Sequence, residues 1–167
     1  MPYRIGVVSD THIPNAMKKL PAELLRAFED VDLIIHAGDI LEMQVIETLR
    51  TLADVCAVHG NADPPEVRAE LPASRVLTVR GKRLGIYHGR DGHAGLAERA
   101  QKLLEAEHGG TFDVVVFGHT HHATEDWNGP TLRFNPGSPA ARRFTEARTF
   151  GILTVGDTVE SGIVRIS

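Results

Sequence analysis

Short apolar segments that each end in a polar cluster recur along this chain, and they constrain its fold more than any other feature. Three of them, residues 3–8, 33–37 and 55–58, have the length and β-branched content of buried strands. The intervening residues 21–29 and 42–52 carry apolar side chains at helical spacing. Neighbouring parallel strands need a long connection, which a helix supplies. The order therefore predicts parallel strands whose polar clusters share the carboxyl edge of a sheet, where ligands of open α/β sheets bind.

The second half of the chain joins several strands by tight turns. Residues 75–79 and 84–88 flank the turn at Gly81 and predict an antiparallel hairpin. Residues 96–104 have helical spacing, and residues 113–117 form a continuous apolar strand. Two more hairpin turns are predicted at Asn128-Gly129 and at Gly156-Asp157, the latter between strands 150–155 and 159–166.

Length and composition limit the class of protein. A chain of 167 residues is long enough for one core, so we expect a single domain over residues 1–167 with two sheets and helices outside. The 18 basic and 22 acidic residues give a net charge of −4, and nonspecific binding of nucleic acid is not expected. No apolar stretch is long enough for a signal peptide or a membrane span, which predicts a cytoplasmic protein without membrane contact. Cys56 lies in an apolar run and is expected to be a buried thiol without chemistry.

Five polar clusters follow five of the predicted strands, and they contain residue types that bind divalent metals. Carboxylates, amides and imidazoles are ligands for ions that activate water. Alternate residues of an extended segment point the same way, so Asp10 with His12, and His119 with His121, are spaced for ligation. Asp39 has two carboxylate oxygens and is the natural bridge between two ions about 3.5 to 4 Å apart. The clusters are Asp10-Thr11-His12, Gly38-Asp39, Gly60-Asn61-Ala62-Asp63, His88-Gly89 and Gly118-His119-Thr120-His121.

Each of these residues also has an ordinary structural interpretation. A histidine near a strand end is more often a hydrogen-bonded surface or core residue than a metal ligand. Asp10 or Asp39 alone could cap a helix or a turn, and Asn61 could form an Asx-turn. A purely structural role for all seven residues at once is not expected, because the ends of neighbouring strands converge in space and bring these side chains together.

The order of the clusters, DxH, GD, GN, H and GHTH, resembles the metallophosphoesterase, or calcineurin-like phosphoesterase, family. At residues 60–63, GN is followed by a small residue and Asp, which resembles the compact bacterial and archaeal phosphodiesterase branch of that family. The motifs span residues 10–121, and Asn-Pro-Gly-Ser at residues 135–138 resembles the loop after the family's last ligands. Each motif alone is weak, whereas all five in this order are specific. The resemblance implies an α/β fold, a four-layer α/β/β/α sandwich of two mixed β-sheets flanked by helices.

The same resemblance implies a site for two divalent ions. One ion would be held by Asp10, His12, Asp39 and His121, and the other by Asp39, Asn61, His88 and His119. Nitrogen and oxygen ligands without thiolate suit Mn²⁺, which we favour, as well as Ni²⁺, Co²⁺, Fe²⁺ or Zn²⁺. Metal binding lowers the pKa of water from 15.7 to roughly 7, so in-line attack by a hydroxide that bridges the ions is the expected mechanism. Asp39 and Asn61 would position this hydroxide and the phosphate.

The expected enzyme is a phosphoric ester hydrolase acting on small-molecule phosphate esters, a phosphodiesterase in preference to a phosphomonoesterase. An alternative of another class is a non-catalytic interaction scaffold similar to a retromer subunit, although the full set of seven ligands argues against it. The sequence leaves open the physiological substrate, the native metal, and whether the chain forms a homo-oligomer.

One position departs from the family pattern. Much of the family has a histidine after the Asn of the GN motif, proposed to protonate the leaving group, and Ala62 stands there in this chain. His59 and His122 adjoin predicted ligands, so both are candidates for the acid or for a phosphate contact. His36 is expected in the core or behind the ligands. His93 and His108 are expected to be solvated helix residues.

Overall fold

The computed structural model describes residues 1–140 and 147–167. Within these residues the chain forms ten strands and four helices. The strands are β1 (Tyr3–Val8), β2 (Leu33–His36), β3 (Asp54–Ala57), β4 (Ser74–Val79), β5 (Lys82–Tyr87), β6 (Val114–Val116), β7 (Ala123–Asn128), β8 (Thr131–Pro136), β9 (Arg148–Val155) and β10 (Val159–Ile166). The helices are α1 (Ala22–Phe28), α2 (Met43–Arg50), α3 (Pro65–Glu70) and α4 (Leu96–His108).

The strands form two five-stranded mixed sheets. The first sheet has the order β10-β9-β1-β2-β3, and β1, β2 and β3 are parallel as predicted, joined by α1 and α2. The second sheet has the order β4-β5-β6-β8-β7, in which β5, β6 and β8 are parallel. The three predicted hairpins, β4 with β5, β7 with β8 and β9 with β10, are antiparallel pairs.

Three apolar clusters define the layers. The inner cluster lies between the sheets and joins residues such as Ile5 and Val7 of β1 to Val114 and Val116 of β6. A second cluster packs α1 and α2 on the outer face of the first sheet, and a third packs α4 on the outer face of the second sheet around Val115. This arrangement confirms the predicted four-layer α/β/β/α sandwich.

The structure adds details that the sequence patterns did not give. Helix α3 was not predicted, because it has six residues and buries only Val67, which is too little for a helical period. The polar clusters also follow strands of both sheets, whereas their convergence was expected from the strand ends of one sheet. His93 lies in the loop before α4 and not in a helix. Among the described residues, no helix is long and apolar enough to span a membrane.

The inner layer leaves no room at Gly151 of β9. A Cβ atom added there would lie 2.5 Å from the ring of the buried Phe134, whereas a Cβ at Gly162 on the neighbouring strand would have nothing within 4 Å. We predict that Gly151→Ala lowers the free energy of unfolding by about 1 to 3 kcal/mol through overpacking. Gly162→Ala is the matched control and should stay within about 0.5 kcal/mol of the parent protein in chemical denaturation. Equal stability of the two variants would contradict this packing.

Candidate metal centre

The polar clusters meet beside one cavity because all the parallel strands that carry them end on the same side of the sandwich. Strands β1, β2 and β3 of the first sheet lead to Asp10, Asp39 and Asn61. Strands β5 and β6 of the second sheet lead to His88 and His119. The cavity has a volume of about 900 Å³. Six of the seven predicted ligands line it, namely Asp10, His12, Asp39, Asn61, His119 and His121, while His88 is buried behind them.

Two carboxylate oxygens lie among the imidazoles at the centre of the site. Asp10 Oδ1 is 3.2 Å from His121 Nε2, 3.6 Å from His12 Nε2 and 3.7 Å from His88 Nε2. Asp39 Oδ2 is 3.1 Å from His88 Nε2 and 3.4 Å from His12 Nε2. Two groups of ligand atoms, each within 4.8 Å, result: Asp10 with His12 and His121, and Asp10 with Asp39 and His88. Asp10 belongs to both groups, whereas the resemblance assigns Asp39 as the residue shared by both ions.

Asn61 and His119 face each other at the side of this cluster. His119 Nδ1 lies 3.0 Å from Asn61 Oδ1, and its other nitrogen donates a hydrogen bond to the carbonyl of Asp91 at 2.8 Å. The His119 ring is also 5.5 Å from the ring of His88, edge to face. The seven predicted ligands are therefore neighbours in one site.

The central atoms lack the partners that buried polar atoms normally have. Among the described residues, Asp10 Oδ1, His12 Nε2 and His88 Nε2 are buried and accept or donate no hydrogen bond. Most buried polar atoms in proteins are hydrogen-bonded, so a group of orphaned atoms that point at one another indicates a site for a ligand. Carboxylate and imidazole donors without thiolate fit borderline divalent ions. The residues present thus fit the metal ions that the resemblance implies.

The charges of the site balance each other when no metal is bound. Burial alone would lower the pKa of His12 and of His88, but the carboxylates of Asp10 and Asp39 outweigh it and raise both values to about 9. Burial would likewise raise the pKa of Asp39, and its contacts with His12 and His88 hold it well below its usual range. The metal-free site therefore holds ionised carboxylates beside protonated imidazoles at neutral pH.

The Asp63 carboxylate fixes the loop that carries Asp39. Its two oxygens accept hydrogen bonds from the backbone N–H groups of Asp39, Ile40, Leu41 and Gly60, at 2.7 to 3.0 Å. The N–H of Ala62 in turn donates to Asp39 Oδ1 at 2.8 Å. The loops after β2 and β3 are thereby held together, and Asp39 Oδ2 is left to face the histidines.

Asp10 is fixed in a comparable way from three directions. Its Oδ2 accepts hydrogen bonds from the Ser9 hydroxyl at 2.6 Å and from the His119 backbone N–H at 3.1 Å. The hydroxyl of Ser138 donates to the Asp10 carbonyl at 2.7 Å. The loop that follows β8 thus packs beside the site, as its resemblance to the family loop suggested.

Two buried histidines have hydrogen bonds that define their tautomers. Gly38 N–H donates to Nδ1 of His36, so the Nε2–H of His36 donates to the hydroxyl of Thr11. Burial lowers the pKa of His36 to about 4, and the ring stays neutral behind the site as expected. Nδ1 of His88 donates to the carbonyl of Ala37 at 2.7 Å, which leaves Nε2 directed at the carboxylates.

The backbone of the site is held in an unusual conformation. Asp10, His12, Asp39, His119 and His121 all have φ between 45° and 71°, in the left-handed region that non-glycine residues rarely occupy. Such strain persists only where surrounding contacts fix the backbone, and it is concentrated at functional sites. Gly118 allows the close approach of the two sheets here, because a Cβ atom at this position would lie 2.1 Å from the Ser9 hydroxyl oxygen.

Three histidines do not lie, relative to the cavity, where the sequence predicted them. His59 and His122, the candidates for an acid, are not among the residues that line the cavity. His93 does line it, and its ring lies 5.3 Å from that of His119; the side chain is exposed as expected, but it lies on the loop before α4 and not in a helix. Met17 and Arg148 also line the cavity, and neither belongs to a recognisable motif. No spacing in the sequence could have revealed these three residues, because loop geometry alone brings them to the site.

Comparison with known proteins agrees with the fold and identifies the family. Residues 3–158 match the model of the calcineurin-like phosphoesterase superfamily domain. A probable metallophosphoesterase of Methanothermobacter thermautotrophicus is 35% identical, over 96% of this chain and 91% of that protein. A phosphodiesterase of Methanocaldococcus jannaschii is 30% identical, over 90% of this chain and 92% of that protein.

The fold is also similar to that of a solved structure. Vacuolar protein sorting 29 from Cryptosporidium parvum superposes with a TM-score of 0.78 and 20% identity, over 99% of this chain and 98% of that chain. At this identity the likeness concerns the fold only. The family match over nearly the whole chain, together with the two relatives, is decisive: the chain belongs to the calcineurin-like phosphoesterase superfamily of metal-dependent phosphoric ester hydrolases.

Proposed function

We propose that this protein is a binuclear, metal-dependent phosphodiesterase. The observation that carries the proposal is the pair of buried carboxylate oxygens, Asp10 Oδ1 and Asp39 Oδ2, which lie among His12, His88 and His121 at the end of an open cavity. Without metal ions the charge of these carboxylates is compensated by protonated His12 and His88, and bound cations would take over this role when the imidazoles become neutral ligands.

The proposed ligands form two overlapping sets. Asp10, His12, Asp39 and His121 hold one ion, and Asp39, Asn61, His88 and His119 hold the other. Asp10 Oδ1 also faces His88 and therefore stabilises both positions electrostatically. We propose Mn²⁺ as the native ion, because the donors are oxygen and nitrogen only. Bound ions of this kind supply an ionised water and neutralise the charge on phosphate oxygens.

The residues of the chain then position the substrate. The cavity opens beside Asn61 and His119, so the Asn61 amide can bind a phosphate oxygen as well as an ion. Asp63 and Ser138 keep Asp39 and Asp10 in place through backbone contacts. Because the net charge is −4, the protein as a whole does not attract an anionic substrate, and the attraction must come from charges at the site.

A diester is favoured over a monoester by two observations. A relative at 30% identity is named a phosphodiesterase. Ala62, which lines the cavity beside Asn61, leaves space next to the phosphate where much of the family has an imidazole. The alternative of a non-catalytic scaffold is disfavoured by the ligand cluster, since the likeness to vacuolar protein sorting 29 concerns the fold only.

Replacing Asp39 by Asn should remove turnover and leave the fold intact. The amide still accepts the hydrogen bond from Ala62 N–H, but the negative charge between His12 and His88 is lost. With bis(4-nitrophenyl) phosphate and Mn²⁺ we expect kcat/KM to fall by about 1000-fold or more. Asp30→Asn, at an exposed turn, is the control and should be unaffected. Near-normal activity of Asp39→Asn would refute the assignment of Asp39.

Removal and return of metal test the enzyme against the scaffold. Protein stripped by a chelator should not hydrolyse bis(4-nitrophenyl) phosphate, and added Mn²⁺ should restore hydrolysis as two ions bind per chain. The diester should be cleaved with a higher kcat/KM than 4-nitrophenyl phosphate. If elemental analysis found metal bound and neither ester was cleaved with Mn²⁺, Ni²⁺, Co²⁺, Fe²⁺ or Zn²⁺, the result would contradict the proposed activity and favour the scaffold alternative.

Metal uptake should release protons at neutral pH. The pKa values of about 9 mean that His12 and His88 are protonated at pH 7.5, and a histidine must be neutral to bind a metal. Apparent Mn²⁺ affinity should therefore rise with pH until about 9 and level off above it. Calorimetry in buffers of different ionisation enthalpy measures the release. His12→Gln should lower the number of protons by about one, and His108→Gln, at an exposed position, should not change it.

A further inference from the structure

The cavity extends well beyond the proposed metal ligands. Its volume of about 900 Å³ is at the upper end of the range for drug-sized ligands and far exceeds the space that a phosphate group needs. The part beyond the ligands, which we call the ester subsite, is formed by separate loops. Its lining residues are Asn15, Ala16, Met17, Ala62, Ala140 and Arg148.

One component of the ester subsite is apolar. Four of its six side chains, those of Ala16, Met17, Ala62 and Ala140, are aliphatic or a thioether. Met17 is partly buried against the core cluster under the first sheet, which anchors its side chain. A thioether makes favourable contacts with aromatic rings, and small alanine side chains leave a smooth surface. These properties suit a flat ring better than a branched or highly charged group.

The other component is a cation held in place. Arg148 Nε donates a hydrogen bond to the carbonyl of Pro139 at 2.7 Å, which fixes the plane of the guanidinium group. No other hydrogen bond or ion pair joins this guanidinium to the described part of the chain. Among the described residues that line the cavity, Arg148 is the only lysine or arginine. Within residues 1–140 and 147–167, its terminal nitrogens therefore have no partner that competes with an acceptor on the substrate.

We propose that the ester subsite binds one ester group of the substrate and that this group is a planar ring bearing a hydrogen-bond acceptor or negative charge opposite Arg148. Met17 and Arg148 determine this specificity, Met17 through contact with the ring and Arg148 through its donors. The inference rests on the proposed function, because the phosphate of the same substrate occupies the metal centre. A substrate of this size is a small molecule and not a nucleic-acid strand, in keeping with the net charge of −4.

Binding of phosphonates to the Mn²⁺-loaded protein tests the ester subsite without turnover, because a C–P bond is not hydrolysed as an ester. The probes are methylphosphonate, phenylphosphonate and 3- and 4-carboxyphenylphosphonate, measured by calorimetry. The parent protein should bind phenylphosphonate about tenfold more tightly than methylphosphonate, because the ring is taken out of water. At least one carboxylate should add about another tenfold through a charge-assisted hydrogen bond.

Two variants separate the components of the subsite. Arg148→Gln should remove the gain from the carboxylate and leave the ratio of phenyl to methyl affinity unchanged. Met17→Ala should reduce the ratio of phenyl to methyl affinity severalfold, and Met17→Leu should restore much of it. Matched controls are Arg165→Gln, on the neighbouring strand outside the cavity, and Met43→Ala, which packs against the same core cluster as Met17. Both controls should keep the parent's ratios.

The outcomes distinguish this inference from the proposed function. Equal affinity of the parent for methylphosphonate and phenylphosphonate, or ratios that neither variant alters, would overturn the ester subsite while leaving the metal centre intact. Absence of methylphosphonate binding to parent protein with Mn²⁺ added would instead overturn the metal centre and the subsite together. Loss of the ring and carboxylate preferences in the two variants, with methylphosphonate affinity retained, would establish both residues as specificity determinants.

Discussion

The burial of two carboxylates at the ends of parallel strands is the constraint on which this structure depends. Asp10 and Asp39 are almost completely excluded from solvent, and an ionised carboxylate there must be compensated by cations or by hydrogen bonds. In each residue, the two carboxylate oxygens have different partners. One oxygen accepts hydrogen bonds from neighbouring loops, and the other faces the histidines. The fold thus satisfies one oxygen of each carboxylate with hydrogen bonds and directs the other at the histidines, where we propose that metal ions bind.

This division requires rigid loops, and the rigidity comes from groups that never reach the substrate. Asp63 collects four backbone N–H groups from two loops, and His36 links the loop after β1 to the loop after β2 through Thr11 and Gly38. These bonds hold the left-handed backbone of the ligands, which would otherwise relax at a gain of roughly 1 to 3 kcal/mol for each residue. The geometry of the proposed ligands is therefore fixed in the metal-free chain, which would lower the cost of ordering the site when ions bind.

Much of the fold and most of the candidate site could be predicted from the sequence because both produce regular patterns of apolar and polar residues. Buried strands such as β1 and β6 are continuous apolar runs, and the proposed ligands follow them directly along the chain. Features without a regular mark were missed. Helix α3 buries a single side chain, Asp63 acts only through backbone groups that converge in three dimensions, and His93 lies on a loop whose path is set by packing.

The residues proposed for the chemistry follow regular strand patterns, whereas the residues proposed for selectivity do not. The proposed ligands lie next to strand ends, where two sheets that pack through a common apolar layer fix their positions. The ester subsite is formed by loop residues that are not proposed ligands, among them Met17, and by Arg148, the first residue of β9. The side chains of Met17 and Arg148 take no part in the hydrogen bonds that hold Asp10, Asp39 and Asp63. Under the proposed function, a fold organised in this way can change the ester that it accepts without disturbing the charge balance of the proposed metal site.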